Sequence, residues 1–136
     1  MSEYSKPLPR IDNETSPYWD ACKRHELRMQ RCVSCGQLRF PPGIICANCN
    51  SLEAEWVKLS GRGKVYTWNI FHQLYNPAFA QDLPYNVAVI ELEEGPRITS
   101  NIVGCKNEDI HIGMAVEVVF EDITDDVTLP KFRPST

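Results

Sequence analysis

The sequence of 136 residues has no long apolar run, and its longest uninterrupted ones, such as residues 87–90, have the length of a strand. A helix that crosses a bilayer needs about 20 apolar residues, so the sequence excludes a membrane-spanning helix. The N-terminal residues also lack the apolar segment that is typical of a secretory signal. We therefore expect a cytoplasmic protein.

Glycine is scarce, with 7 residues against 10 prolines, and the β-branched and aromatic residues fall in short runs. This pattern favours many short strands and excludes a bundle of long helices. The hydrophobic content of 43% and the charged content of 24% are close to globular averages, which excludes a disordered chain. The length fits one domain or two very small ones.

A basic excess is also missing, because 14 Lys and Arg face 18 Asp and Glu for a net charge of −4. This balance argues against a general nucleic-acid binder. The charge is unevenly distributed: residues 21–40 carry five basic residues and one acid, whereas residues 91–126 carry ten acids and two basic residues. The basic part could bind an anionic ligand, and the acidic part could face a partner. The alternative is that both groups of charges serve only solubility.

Four cysteines form the strongest motif of the sequence, a C-x2-C-x10-C-x2-C pattern made by Cys32, Cys35, Cys46 and Cys49. Each pair fits a tight knuckle that points two thiolates at one ion, and the ten-residue spacer lets the second knuckle complete a tetrahedron. We predict a structural zinc site, since four sulfur ligands leave no position for a water. Gly36 and Asn50 follow the two knuckles, where a residue tolerant of positive φ is needed.

Other uses of the cysteines remain open at this point. Six cysteines allow fifteen disulfide pairings, although a chain without a signal sequence favours a reducing compartment. A single C-x-x-C could be a redox pair, and iron would bind the same four thiolates as zinc. Cys22 and Cys105 lie outside the pattern, and we expect them to be small buried hydrophobic residues.

The order of motifs predicts a mainly β protein in three parts: an N-terminal arm and helix over residues 1–30, a zinc ribbon over 31–60, and a barrel over 61–136. Thr15 is expected to cap a helix over 16–26 with its hydroxyl, and Gly61 to Gly63 to form a flexible hinge. Five strands in the last part suit an OB-fold, with a β-sandwich as the alternative. They are predicted over residues 64–74, 85–92, 97–103, 115–120 and 129–132.

An ordered set of motifs, spread over nearly the whole chain, resembles that of a known family. It comprises Tyr18-Trp19, Leu27 to Gly36 with the first knuckle, Phe40-Pro41-Pro42, the second knuckle, Trp56, Gly61 to Tyr66, Glu91 to Arg97, Ile112-Gly113 and Leu129 to Pro134. In this order the motifs resemble the acyl-CoA-associated family that joins a rubredoxin-like zinc ribbon to an OB-fold, once catalogued as a domain of unknown function. The spacing of the ribbon alone would be shared by many families.

The resemblance implies a non-catalytic accessory subunit in a hetero-oligomer. Members of this family act beside thiolase-fold enzymes, CoA-thioester aldolases and hydratases, where they help to hold the CoA moiety and bridge the catalytic chains. The acyl group, the pathway and the stoichiometry are not implied.

A CoA site needs several cationic or N–H donors for its phosphates and an apolar face for its adenine. Arg39, Phe40, Arg62 and Lys64 supply these groups around the predicted junction of ribbon and barrel. The alternative is that Phe40 belongs to the ribbon core and that Arg62 and Lys64 are solvated charges. His72 could face a ligand at the end of the first barrel strand, although packing is the more common role of such a histidine.

Two other classes of function compete with the accessory role. Zinc ribbons and OB-folds both bind single-stranded nucleic acids through basic grooves and stacked aromatic residues, and Tyr66, Trp68 and Phe71 lie on the first barrel strand. The acidic barrel half lacks such a groove. A stand-alone enzyme is the third class, but the sequence contains no nucleophile elbow and no phosphate-binding loop.

Overall fold

The structure is a computed structural model that describes residues 4–135. Residues 1–3 and 136, the ends of the predicted arm and barrel, lie outside the described residues. The described part contains one α-helix, two short 3-10 helices over Pro77–Asp82 and Asn107–Asp109, and eight strands. The helix and strands are α1 (Ser16–Lys23), β1 (Arg28–Cys32), β2 (Leu38–Arg39), β3 (Ala54–Lys58), β4 (Arg62–Phe71), β5 (Tyr85–Leu92), β6 (Arg97–Ser100), β7 (Ala115–Asp122) and β8 (Thr128–Pro134).

Helix α1 is shorter than the predicted span because the chain turns at His25, which has a φ of 62°. The His25 Nε2 atom lies 3.1 Å from Asp122 Oδ1 on β7, which ties the end of the helix to the barrel. Thr15 is the N-cap residue, but the prediction of a hydroxyl cap is wrong. Its Oγ1 accepts a hydrogen bond from the Asp12 N–H instead, and the Asp12 carboxylate accepts one from the Thr15 N–H.

The zinc ribbon is a three-stranded antiparallel sheet in the order β2-β1-β3. Strand β1 pairs with β3 over its whole length, from Arg28 opposite Lys58 to Cys32 opposite Ala54. The fully paired β1 and β3 therefore form the base from which both knuckles project.

The second sheet is a curled five-stranded sheet in the order β6-β5-β4-β7-β8, as expected for an OB-fold. Strand β4 pairs with β5 along its length and with β7 only over Arg62 to Lys64. The segment after β6 closes the curl, because the Val103 N–H donates to the Phe132 carbonyl on β8 at 2.7 Å. The OB-fold prediction is confirmed, and the β-sandwich alternative is wrong because these five strands belong to one sheet.

One hydrophobic core runs through all three parts of the chain. Tyr18 and Cys22 from α1 and Leu59 after β3 pack in the same cluster as Ile90 and Phe132 of the barrel. Burial raises the pKa of the Cys22 thiol to about 12, so this cysteine is an inert core residue as predicted. The predicted part boundaries at residues 30 and 60 stay predictions, and the core crosses both.

A buried asparagine joins two connecting segments of the barrel. The Asn86 side chain, 6% exposed, accepts a hydrogen bond from the Ile102 N–H at 2.6 Å and donates one to the Ile102 carbonyl at 2.9 Å. The regular pairing of β5 with β6 ends at Ala88 and Ser100, and the Asn86 side chain bonds the backbone beyond that point. It also donates to the Asn107 side chain. The Asn107 side chain in turn donates to the Pro84 carbonyl at 3.1 Å, so this network holds the end of the long β4–β5 connection near the segment that closes the curled sheet.

Gly61 and Gly63 are packed tightly, so the prediction of a flexible hinge is wrong. Gly61 is buried with a φ of 80°, and a Cβ atom there would lie 2.4 Å from Val118 Cγ1. A Cβ atom on Gly63 would lie 2.5 Å from the Glu91 carbonyl oxygen. Since β4 begins at Arg62, the two glycines let the first barrel strand pass close to β5 and β7.

In the part of the chain that the structure describes, no helix has the length and apolar character needed to cross a membrane.

Replacing Gly61 with alanine should destabilise the fold more than the same change at Gly113. Both residues have a positive φ, 80° and 84°, but a Cβ atom on Gly113 would meet no atom within 4 Å. The backbone strain is therefore matched, and the contact with Val118 is the difference. We expect Gly61→Ala to lower the free energy of unfolding by roughly 1–3 kcal/mol more than Gly113→Ala. Urea denaturation of both variants measures this difference, and equal losses would contradict it.

Candidate metal centre and ligand cavity

The two C-x-x-C segments fold into matching knuckles. In the first, the Gly36 N–H donates to the Cys32 carbonyl at 2.9 Å, and in the second the Asn50 N–H donates to the Cys46 carbonyl at 2.8 Å. Gly36 has a φ of 79° and Asn50 a φ of 66°, which confirms that both positions need a residue tolerant of positive φ.

The knuckles bring four sulfur atoms together at the tip of the ribbon. All four lie within 4.8 Å of one another, with 3.5 Å between the Cys32 and Cys49 sulfurs and 3.7 Å between those of Cys35 and Cys46. A tetrahedral ion with metal–sulfur bonds of about 2.3 Å places its ligands about 3.8 Å apart. The four cysteines therefore fit one tetrahedral ion.

Hydrogen bonds favour the thiolate form of two of the four ligands, Cys32 and Cys35. The Cys35 N–H donates to the Cys32 sulfur at 3.5 Å, and this bond lowers the pKa of the Cys32 thiol. The Asn48 side-chain amide donates to the Cys35 sulfur, also at 3.5 Å, and lowers the pKa of that thiol. Metal ligands need such outer contacts, because these contacts orient the sulfur atoms and stabilise their negative charge.

Four thiolates fill a tetrahedral ion, which leaves no position for a catalytic water. When bound, such an ion would hold the two knuckles together. Zinc and iron both accept this ligand set. All six cysteines are free thiols in the structure, so the disulfide alternative has no support.

Arg62 and Lys64, two of the predicted CoA residues, line one cavity of about 400 Å³ at the start of β4. Two carboxylates line it as well. Glu91 lies directly opposite Lys64 on β5, and the Arg62 Nε atom lies 3.3 Å from the Glu93 carboxylate. The Ser60 hydroxyl and then Arg62 lower the pKa of Glu93, which keeps it ionised. The lining therefore holds two cations and two carboxylates, and the Glu91 carboxylate also pairs with Arg97 at 3.4 Å. The sequence could not show this arrangement because it depends on strand register.

Arg39 and Phe40 belong to the ribbon and contact its own residues. The Arg39 guanidinium donates to the Gln30 side chain and to the Gly43 carbonyl, both at 2.9 Å, and so holds the turn after β2. The Phe40 ring lies 5.3 Å from the Tyr18 ring and packs against the core. Their predicted role in CoA binding stays a prediction.

The aromatic residues of β4 do not form one stacking platform. Tyr66 is exposed under the Arg97 guanidinium, which lies 3.8 Å from the ring centroid. Trp68 packs against the core, and Phe71 stacks on Tyr85 with 5.2 Å between ring centroids. The arrangement expected for a single-stranded nucleic-acid site is absent from β4. His72, at the end of this strand, is exposed.

The fold and the site define a class of protein: a four-cysteine ribbon joined to an OB-fold through a common core. Comparison with protein families gives the same division. Residues 19–53 match the rubredoxin-like zinc ribbon domain of ChsH2, and residues 56–121 match the C-terminal OB-fold domain of ChsH2.

Known proteins agree with this class. The chain is 50% identical over 97 residues to a DUF35 domain-containing scaffold protein of Methanocaldococcus jannaschii, covering 71% of this chain and 68% of that protein. A solved structure titled Ltp2-ChsH2(DUF35) aldolase matches 95% of this chain and 100% of its own, with a TM-score of 0.86 and 38% identity. The chain belongs to the DUF35 family of ChsH2-type proteins, which confirms the resemblance found in its sequence.

A third relative is much longer than this chain. The probable enoyl-CoA hydratase alpha subunit of Thermomonospora curvata is 38% identical over 130 residues. The match covers 96% of this chain but 40% of that subunit. The similarity therefore concerns one part of the hydratase subunit.

Removing one ligand of the metal centre should unfold the ribbon tip while the barrel persists. In Cys46→Ser we expect less than one metal ion per chain and faster hydrogen exchange over residues 32–53, because the ion holds the knuckles together. Elemental analysis and hydrogen exchange measure the two effects. Cys105→Ser is the control, since Cys105 lies outside the cluster and should leave one ion bound. A Cys46→Ser chain with its full metal content would contradict this role.

Proposed function

We propose that the chain is a non-catalytic accessory subunit that binds the catalytic subunit of an acyl-CoA enzyme and helps to hold the CoA moiety. The observation that carries the proposal is the family assignment together with a four-thiolate centre that has no free coordination position. A thiolase-like, aldolase or hydratase chain would supply the chemistry. As part of the proposal, the complex acts in the cytoplasm.

Two relatives support the catalytic partner. One is named as the alpha subunit of a hydratase, and the matching solved structure is titled as an aldolase that combines Ltp2 with ChsH2. Both names describe proteins in which this fold is associated with acyl-CoA chemistry or with a second polypeptide. In this chain, the four-thiolate centre has no coordination position for a substrate. The same association would therefore leave the chemistry to the partner.

The CoA part of the proposal depends on the cavity at Arg62 and Lys64. These two side chains offer charged donors suited to phosphate oxygens, and an arginine can bind two of them at once. The neighbouring Glu91 and Glu93 oppose an anionic ligand by charge repulsion. We therefore expect weak CoA binding by the isolated chain and stronger binding in the complex, where the partner adds further cationic or N–H donors.

Affinity capture tests the partner. The tagged chain is recovered from the lysate of its native host after a high-salt wash, and the bound chains are identified by mass spectrometry. We expect a thiolase-fold, aldolase or hydratase chain in stoichiometric amount, as light scattering of the purified complex would show. Recovery of single-stranded nucleic acid or of replication and ribosomal proteins would overturn the proposal in favour of a nucleic-acid-binding module.

Truncation of the two cavity cations tests the CoA site. The variant Arg62→Ala/Lys64→Ala should weaken CoA binding by the complex by about tenfold or more, since two charge-assisted hydrogen bonds are lost. Calorimetry with free CoA measures this change. Arg133→Ala/Lys131→Ala is the matched control, because it removes the same charge from β8 outside the cavity. Unchanged affinity in the first variant would remove Arg62 and Lys64 from the site.

A further inference from the structure

The tip of the ribbon exposes four aliphatic side chains. Val33 is 56% exposed, Ile44 67%, Ile45 52% and Leu52 70%. We call these four residues the ribbon patch. Large aliphatic side chains are ordinarily buried, and an exposed group of them marks an interaction surface more often than a single one does.

Hydrogen bonds around the knuckles hold the ribbon patch together. The Val33 N–H donates to the Glu53 carbonyl at 3.1 Å, and Leu52 is the residue that precedes Glu53. The Cys46 N–H donates to the Ser51 carbonyl at 2.9 Å, so Ile45 and Leu52 flank the same bond. Ile44 is the next residue along the chain. The two bonds therefore join the segments that carry the four exposed side chains, at the same knuckles that supply the cysteine ligands.

The ribbon patch carries no charge of its own. Residues 40–52 contain no Asp, Glu, Lys, Arg or His, in a chain in which 24% of the residues are charged. The side chains between the aliphatic ones are small or neutral: Ser34, Ala47, Asn48, Asn50 and Ser51. An apolar centre with a neutral polar rim and few charges is the composition of the core of a protein–protein interface.

A metal ion bound by the four cysteines would add a negative charge next to this surface. A divalent ion with four thiolates would have a net charge of −2, and two of the cysteines that would hold it, Cys35 and Cys49, are exposed. Face-to-face contact of two copies would bring two such centres together, and an anionic lipid surface would be repelled in the same way. The charge therefore favours a protein surface that is apolar at its centre and bordered by basic side chains or N–H donors.

We propose that the ribbon patch is the surface on which the catalytic subunit docks, through an apolar area bordered by basic groups. This inference rests on the proposed function, because the subunit is the one that the capture experiment would identify. The CoA cavity lies on the barrel, so the two proposals concern different surfaces and can fail separately.

Substitution of the patch tests the inference. Ile44→Ser/Leu52→Ser is compared with Leu74→Ser/Ile112→Ser, which removes two barrel residues that are 45% and 73% exposed. With the full-length chain and the captured catalytic subunit, we expect the Kd to rise roughly tenfold or more for the patch variant. The barrel variant should bind as the wild type does. Both variants must hold one metal ion per chain. If Ile44→Ser/Leu52→Ser does not, Val33→Ser/Ile45→Ser takes its place.

A photo-reactive side chain gives a second measurement that does not depend on a weakened complex. With p-benzoyl-phenylalanine at position 52, crosslinks to the catalytic subunit support the proposal, and the same group at position 112 is the control.

Equal affinity of both serine variants, with no crosslink from position 52, would overturn the docking site and leave the proposed function standing. If the wild-type chain forms dimers and the patch variant does not, the ribbon patch is a contact between two copies of this chain. That result would overturn the docking site. A wild-type chain that captures no catalytic subunit would overturn the proposed function itself.

Discussion

Convergence of four thiolates on one point is the constraint on which the tip of the ribbon depends, and with it the position of the ribbon patch. Between β1 and β3, over the described residues 33–53, Cys46 is the single fully buried hydrophobic residue, and Leu38 and Phe40 pack against the core while partly exposed. Apolar burial stabilises a fold at roughly 25 cal/mol per Å², so the two knuckles, which bury little beyond Cys46, must be held in another way. The coordination of a metal ion can supply that free energy directly. It does so without a core, which is why aliphatic side chains can remain on the surface of the ribbon.

The base of the ribbon is stabilised differently. Leu27, Met29 and Leu59 are buried in the same cluster as the barrel residues, and the Leu59 N–H donates to the Leu27 carbonyl at 2.8 Å. The sheet formed by β1 and β3 is therefore fixed to the barrel by burial, and only its tip depends on the metal. A rigid base with a metal-dependent tip keeps the ribbon patch in a constant position relative to the barrel cavity.

Local chemistry decided how much of this structure could be predicted. The cysteine spacing, Gly36 and Asn50 determine the knuckles over a few residues, and the strand predicted over residues 115–120 lies within β7, so both were predictable. Contacts between distant segments were not. Gly61 resembles a hinge in the sequence, and its contact with Val118 exists only because β4 pairs with β7 in one register. The position of Glu91 opposite Lys64 likewise depends on the register of β4 and β5, and it contributes to a lining with as many carboxylates as cations, which makes an apparent basic site formally neutral.

This neutrality affects how the two proposed activities would be related. A CoA molecule at Arg62 and Lys64 must compete with Glu91 and Glu93, so a second source of positive charge would favour its binding. If the catalytic subunit supplies that charge, docking and CoA binding become coupled, and each raises the affinity of the other by the same factor. The accessory chain then needs no strong CoA site of its own. Under the proposal, the charge-balanced cavity would bind CoA weakly in the free chain and more strongly in the complex.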